Sequence, residues 1–337
     1  LLHNLKEYYN KSYTDICLRN GKSGGPTPAV PVFNVEGYNF PTSTTRGNFS
    51  VQLDSGFLLG HHKKALPMGM SEFTIVITLN TADTALVHNA AAVAAGATRN
   101  YTINNARFFC PVYQIEDANV LNQYKMLASQ RGISWSGDTN KLYIGSLIAG
   151  ASTQTIQIND RSLSLKALIS VKRPSVSYQN ARALTSSSTN LTGVTRYSYQ
   201  IGGLNYPQMP IDIQSAVNTT NFNITRAYDQ AIKSFAAPGH AHSEPLETQV
   251  KFCQPDAGIA LALGAGTVAG QGCLCVDLRR FDDERLSYVG LNTSKNASPN
   301  IIEVTTVAAN VASTTSTYAI CEAEYSMSQM GRLSVQV

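Results

Sequence analysis

The chain has 337 residues, 43% of them hydrophobic but only 14% charged, against roughly 25% charged in ordinary soluble domains, and a net charge of +4. This length can bury about three quarters of the unfolded surface, so no disulfide or metal staple is required. The mild charge without a dense Lys/Arg block argues against sequence-specific nucleic-acid binding, and no run of about 20 apolar residues exists to span a membrane.

In chain order, residues 1–20 read as a short amphipathic helix with Leu5, Tyr8 and Tyr9 on one side. Gly21 to Pro41 is rich in Gly and Pro and reads as an extended arm, so residues 1–46 are expected outside the core. Alternation then marks strands at Phe49, Val51 and Leu53, and again at Phe73, Ile75 and Ile77. Tyr101–Ile115 reads as a further strand region, with Phe109 and Val112 inward. A helix follows over Asp117–Arg131: Asp117 caps exposed amides, Val120, Tyr124 and Leu127 share a face, and Gly132 ends it. Strands resume at Leu142–Leu147 and Thr155–Val171.

Ser, Thr and Asn dominate 176–193, which reads as a linker between two halves. Beyond it, strands are expected at Tyr197–Ile201 and Met209–Ile213. A second helix, capped by Asn223, turns Ile224, Ala227, Tyr228, Ala231, Ile232 and Phe235 inward and stops at Pro238-Gly239. Later strands are Cys273–Leu278, Ile301–Val307, Thr315–Tyr325 and Leu333–Val337. Many short strands with turn signals and one helix per half predict an all-β fold of two fused antiparallel sandwiches. The boundaries are 1–46 for the N-terminal helix and arm, 47–175 for the first sandwich, 176–193 for the linker and 194–337 for the second.

Chemistry is harder to find. No GxSxG, P-loop or HExxH motif occurs, and the glycines of Gly264–Gly272 lack phosphate-cradle spacing. His240, His242 and Glu244 have a spacing that would suit zinc in an extended segment, but no third anchored ligand is evident and a polar loop reads better. His61-His62-Lys63-Lys64 and Arg279-Arg280 read as solvated loops or strand ends, and Asp282-Asp283-Glu284 as a turn. Six cysteines, at 17, 110, 253, 273, 275 and 321, read as reduced and mostly buried thiols. Trp135 is expected in the core, and the Asn-x-Ser/Thr triplets arise by chance in so Asn-rich a chain. We therefore expect no catalytic, cofactor-binding or metal-binding residues, no cofactor and no enzymatic activity. A charge-poor surface with little like-charge repulsion suits association instead.

Three segments carry a family resemblance. They are Asn104-Asn105-Ala106-Arg107-Phe108-Phe109-Cys110-Pro111-Val112, Asp160-Arg161-Ser162-Leu163-Ser164-Leu165-Lys166-Ala167-Leu168, and Tyr199-Gln200-Ile201-Gly202-Gly203-Leu204-Asn205-Tyr206-Pro207-Gln208-Met209-Pro210. With the helix around Tyr228, their order over residues 47–337 resembles the double jelly-roll major capsid proteins of tailless icosahedral DNA viruses, of the polinton-like virus and virophage type. The resemblance implies two jelly rolls per copy, a homotrimeric pseudo-hexagonal capsomer, and an icosahedral shell in the virion, assembled inside the host cell. It implies further copies of the chain as partners, with minor capsid or penton proteins and an internal membrane as further contacts. Two other readings remain open: a single jelly-roll capsid or spike protein with a projecting β domain, and a lectin-like or glycan-processing double sandwich. Residues 1–46 carry only Lys6, Lys11, Arg19, Lys22 and Arg46 as cations, so no genome-neutralising arm is read there.

Overall fold

The computed structural model describes residues 102–109, 114–150, 152–174, 194–213, 225–236, 272–280, 288–295, 300–307, 312–327 and 333–337, with isolated positions at 74, 76 and 78. Helix α1 is Ala118–Arg131 and helix α2 Thr225–Ala236. Nine strands are described: β1 (Ile133–Leu147), β2 (Ser152–Ile158), β3 (Leu165–Pro174), β4 (Val194–Ile201), β5 (Leu204–Asp212), β6 (Leu274–Asp277), β7 (Ile301–Val307), β8 (Ser313–Met327) and β9 (Leu333–Gln336). All pairings are antiparallel. The protein is all-β.

One sheet has the order β1-β8-β3-β6, with β9 added to β8; the other has β2-β7-β4-β5. Eight strands that alternate between two sheets in this order form a jelly roll, two interleaved Greek keys. β1 and β8 pair in register over their whole length, from Ile133 opposite Met327 to Leu147 opposite Ser313.

This topology moves the expected domain boundary. β2 pairs with β7 and β3 with β8, although 176–193 separates the partners in sequence. Residues 176–193 therefore connect β3 in one sheet to β4 in the other, inside a single sandwich. A polar stretch between strands is equally a linker or a long loop, and only pairing distinguishes them. The division into 47–175 and 194–337 is corrected accordingly: residues 133–174 belong with 194–336. The strands expected between 49 and 77 and the N-terminal helix and arm lie outside the described residues.

Other expectations shift by smaller amounts. The single strand expected over Thr155–Val171 is two, because the chain turns at 159–164. There the backbone N–H of Asp160 donates to Asn300 Oδ1 (2.9 Å), and that of Ser162 donates to Thr293 Oγ1 (3.0 Å). The strand expected over Tyr101–Ile115 is absent from 102–109 and 114–115. Asn105 has φ 56, outside the extended region a strand requires, and Phe109 is exposed rather than inward. β4 and β5 form a tight hairpin through Gly202 (φ 57) and Gly203 (φ 84), two successive left-handed positions that only glycine adopts without strain.

The core sits between the sheets. Leu165, Ala167, Leu168, Ile169, Val171, Tyr197, Tyr199, Ile211, Ile301 and Ile320 are all buried. Ala167 to Lys172 is buried without alternation, so β3 is covered on both faces. Helix α2, lying in the chain between β5 and β6, packs on β6 and touches β3 and β5. Gln230 Oε1 accepts the Asp277 N–H at 3.2 Å, and Arg226 Nη2 reaches Met209 O at 3.5 Å, so the helix ties the edges of the two sheets together. Among the described residues, no helix is long and apolar enough to cross a membrane.

Candidate assembly surface

A jelly roll functions either through a concavity between or beside its sheets, as binding sandwiches do, or through its outer edges, as shell-forming subunits do. The first depends on whether the described interior leaves space between the sheets. Tyr197, Tyr199, Lys172 and Leu168 rank among the largest fully buried side chains and lie between the sheets, and Phe235 is fully buried where α2 packs on the sandwich. Tyr197 OH donates to Cys275 O (2.9 Å), while Tyr199 OH lies 2.8 Å from Ser170 Oγ and 2.9 Å from Leu274 O, so each phenol from β4 ties to the opposite sheet. Burial holds both phenols well above their ordinary pKa, so they act as neutral hydrogen-bonding struts. Their rings meet edge-on at 6.2 Å.

Two polar networks complete this interior. In the first, Lys172 Nζ on β3 lies 3.1 Å from Glu303 Oε1 on β7 and 3.0 Å from Thr305 Oγ1; Ser170 Oγ donates to Glu303 Oε2 at 2.6 Å. Burial lowers the Lys172 pKa, and the facing Glu303 opposes that shift. In the second, Asp160 is buried and accepts from Tyr143 OH (3.0 Å) and Thr293 Oγ1 (3.1 Å), with Lys141 Nζ at 3.3 Å. Ser162 Oγ donates to Cys321 Sγ at 3.0 Å, and burial pushes that thiol up to about 12. These groups satisfy one another, the first network between the sheets and the second between β1, β8 and the neighbouring turns; paired in this way, they read as structural.

The residues marked out for chemistry in the sequence occupy quieter places. Cys273, Cys275 and Cys321 are buried thiols outside any disulfide, as expected, with Cys275 Sγ 3.2 Å from Cys273 Sγ. Arg279 is no phosphate clamp: Nε lies 3.0 Å from Asp277 Oδ1, and Nη2 donates to Lys233 O at 3.2 Å. Trp135 is buried, as expected, and stacks on Tyr325 with centroids 5.9 Å apart; it lies inside β1. His61, His62, His240, His242, Glu244, Asp282, Asp283, Glu284, Cys17, Cys110 and Cys253 lie outside the described residues.

The outer edges offer different chemistry. β1, fifteen residues and ~50 Å long, has β8 as its single strand neighbour among the described residues. An edge of that length is a template for pairing unless charges blunt it. Lys141 turns inward to Asp160, and Asp138 is held by Lys166 at 2.7 Å. Towards its end, Leu142 and Ile144 are exposed, and Ile148 in the following turn is 77% exposed. Leu204 and Met209 on the β4–β5 hairpin are exposed as well. Sequence reasoning missed these positions because alternation alone does not say which face of a two-sheet fold meets solvent.

The chain is similar in structure to viral capsid proteins. One neighbour is PBCV-1 VP54 as fitted into a reconstruction of the virophage Sputnik (TM-score 0.37, 10% identity, 65% of this chain and 54% of that one). Another is the Sputnik virophage structure (0.32, 16% identity, 61% and 39%), and a third the mavirus major capsid protein (0.33, 8% identity, 60% and 41%). The similarity is structural, at low identity. The chain spans about half the length of these neighbours or less. No family model matches the chain, and no curated protein matches it.

Proposed function

We propose that this protein is a major capsid protein, a structural virion component that works by self-association rather than catalysis. The observation that carries the reading is the eight-strand order β1-β8-β3-β6 over β2-β7-β4-β5, with its interior filled by Tyr197, Tyr199, Lys172 and Leu168. A filled sandwich leaves its outer edges and loops as the working surface. The mavirus structure is itself named as a major capsid protein, which accords with this reading. In the full proposal the described jelly roll is the second of two. The division between them lies near Ile133, and three copies form a pseudo-hexagonal capsomer, because six similar sandwiches then surround one threefold axis. Such capsomers tile an icosahedral shell in the virion, contacting neighbouring capsomers and minor or penton proteins.

Imaging the purified, concentrated protein by negative-stain microscopy tests this directly. The proposal expects six-lobed particles and, at higher concentration, hexagonal arrays. Single sandwich-sized particles together with binding on a glycan array would replace it with the lectin reading.

A further inference from the structure

The two sheets carry a buried charge pair where apolar packing would serve. Lys172 is 1% exposed and Glu303 fully buried; they project from β3 of one sheet and β7 of the other and meet at 3.1 Å. Every polar atom of the pair has company. Glu303 Oε2 accepts from Ser170 Oγ (2.6 Å) and Thr317 Oγ1 (3.3 Å), and Lys172 Nζ reaches Thr305 Oγ1 (3.0 Å), which itself donates to Glu303 Oε1 (3.2 Å). Ser170 and Thr317 lie 2.8 Å apart, and Tyr199 OH joins Ser170 from β4. Four strands, β3, β4, β7 and β8, thus supply a ring of hydroxyl partners, each bonded to the ion pair or to a neighbour that is.

We propose that this ring is an alignment key: it fixes the stagger of one sheet over the other, and its contribution is to uniqueness of the fold rather than to stability. Apolar contacts are non-directional and tolerate sliding, because one β-branched residue replaces another at small cost. An ion pair does not tolerate it. On β7, Ile301, Glu303 and Thr305 are all buried at alternate positions, so they share the inward face. A slip of one pleat repeat, about 6.6 Å, would bring Ile301 or Thr305 opposite Lys172 and leave both charges unpaired in a dry interior. Every staggered alternative is thereby penalised, while the aligned state gains little over a well-packed apolar pair. Burial of Lys172 lowers its pKa even with Glu303 beside it, so desolvation outweighs the attraction of the carboxylate.

The test compares the full-length protein with three variants, by thermal melting and by hydrogen exchange read by mass spectrometry on peptides covering β3 and β7. Lys172→Met alone strands a carboxylate and should lower the Tm by more than 10 °C. The double variant Lys172→Met/Glu303→Leu should melt at or above the wild-type Tm. Its β3 and β7 peptides should nevertheless split into two exchange populations, with protection falling at least tenfold in the weaker one. The exchanged pair Lys172→Glu/Glu303→Lys should restore a single protected population. A double variant with one population and wild-type protection would overturn the proposal. So would a double variant that melts well below the wild-type Tm, because the pair would then be a stabilising element; so would an exchanged pair that still shows two populations.

Discussion

Helices α1 and α2 follow the same local rules and end in different surroundings. α1 begins at Asp117, whose Oδ1 accepts the N–H of Asn119 (2.8 Å) and of Val120 (3.4 Å), and it ends at Gly132 with φ 71. α2 carries an i,i+4 ion pair between Asp229 and Lys233 at 2.7 Å. Both repeat apolar residues at helical spacing. Yet Ala227, Ala231 and Phe235 of α2 are fully buried, while Val120, Met126 and Leu127 of α1 are about half exposed. The difference lies in chain connectivity. α2 joins β5 of one sheet to β6 of the other, so both its ends are anchored and its apolar face must cross the side of the sandwich. α1 precedes the first strand of that sandwich, and among the described residues it runs into it through Gly132. Periodicity says which residues share a face; topology says what that face meets.

Substitutions in the two helices sharpen this contrast. Phe235→Ala should have the largest effect, about 3–5 kcal/mol lost in chemical denaturation, since a fully buried aromatic leaves a cavity where sandwich and helix meet. A loss below about 1 kcal/mol would mean that α2 does not seal the sandwich. Gly132→Ala places a Cβ on a left-handed residue and should cost about 1–2 kcal/mol, read in the same melts. Asp117→Ala removes the cap and should cost about 1 kcal/mol, with faster amide exchange confined to the first turn of α1. Leu127→Ala should change the stability of the isolated chain by less than about 0.5 kcal/mol. A cost above about 2 kcal/mol in the monomer would break the comparison by showing α1 to be as buried as α2. An unchanged melt with a weakened assembly would instead place the α1 face in a contact between copies.

Much of this fold was legible in the residues. β7 falls on the expected Ile301–Val307, both helices fall within a residue or two of their expected spans, and the buried faces of Tyr197-Tyr199-Ile201 and Ala227-Ala231-Phe235 follow from spacing. Pairing was not legible, because it depends on contacts between residues far apart in the chain; hence 176–193 read as a boundary and proved a connection within one sandwich. β1 extends nine residues earlier than expected because Ser134, Ser136, Gly137 and Asp138 are poor strand formers that are held by β8. The Lys172–Glu303 ring was missed for a related reason. A lysine in a strand reads as solvated, and the only sequence signal was Glu303 standing inside the apolar run Ile301-Ile302-Glu303-Val304. Of the assembly surface, the charge-poor composition was visible, but not Leu142, Ile144 and Ile148 at the end of β1.

The central claim is that the chain works by associating with itself, and its mass in solution tests that most directly. Light scattering on the purified full-length protein, at low and moderate salt, should give a stable species near three times the 36.3 kDa chain mass. A monomer that persists at high concentration in both salts would contradict the capsomer account.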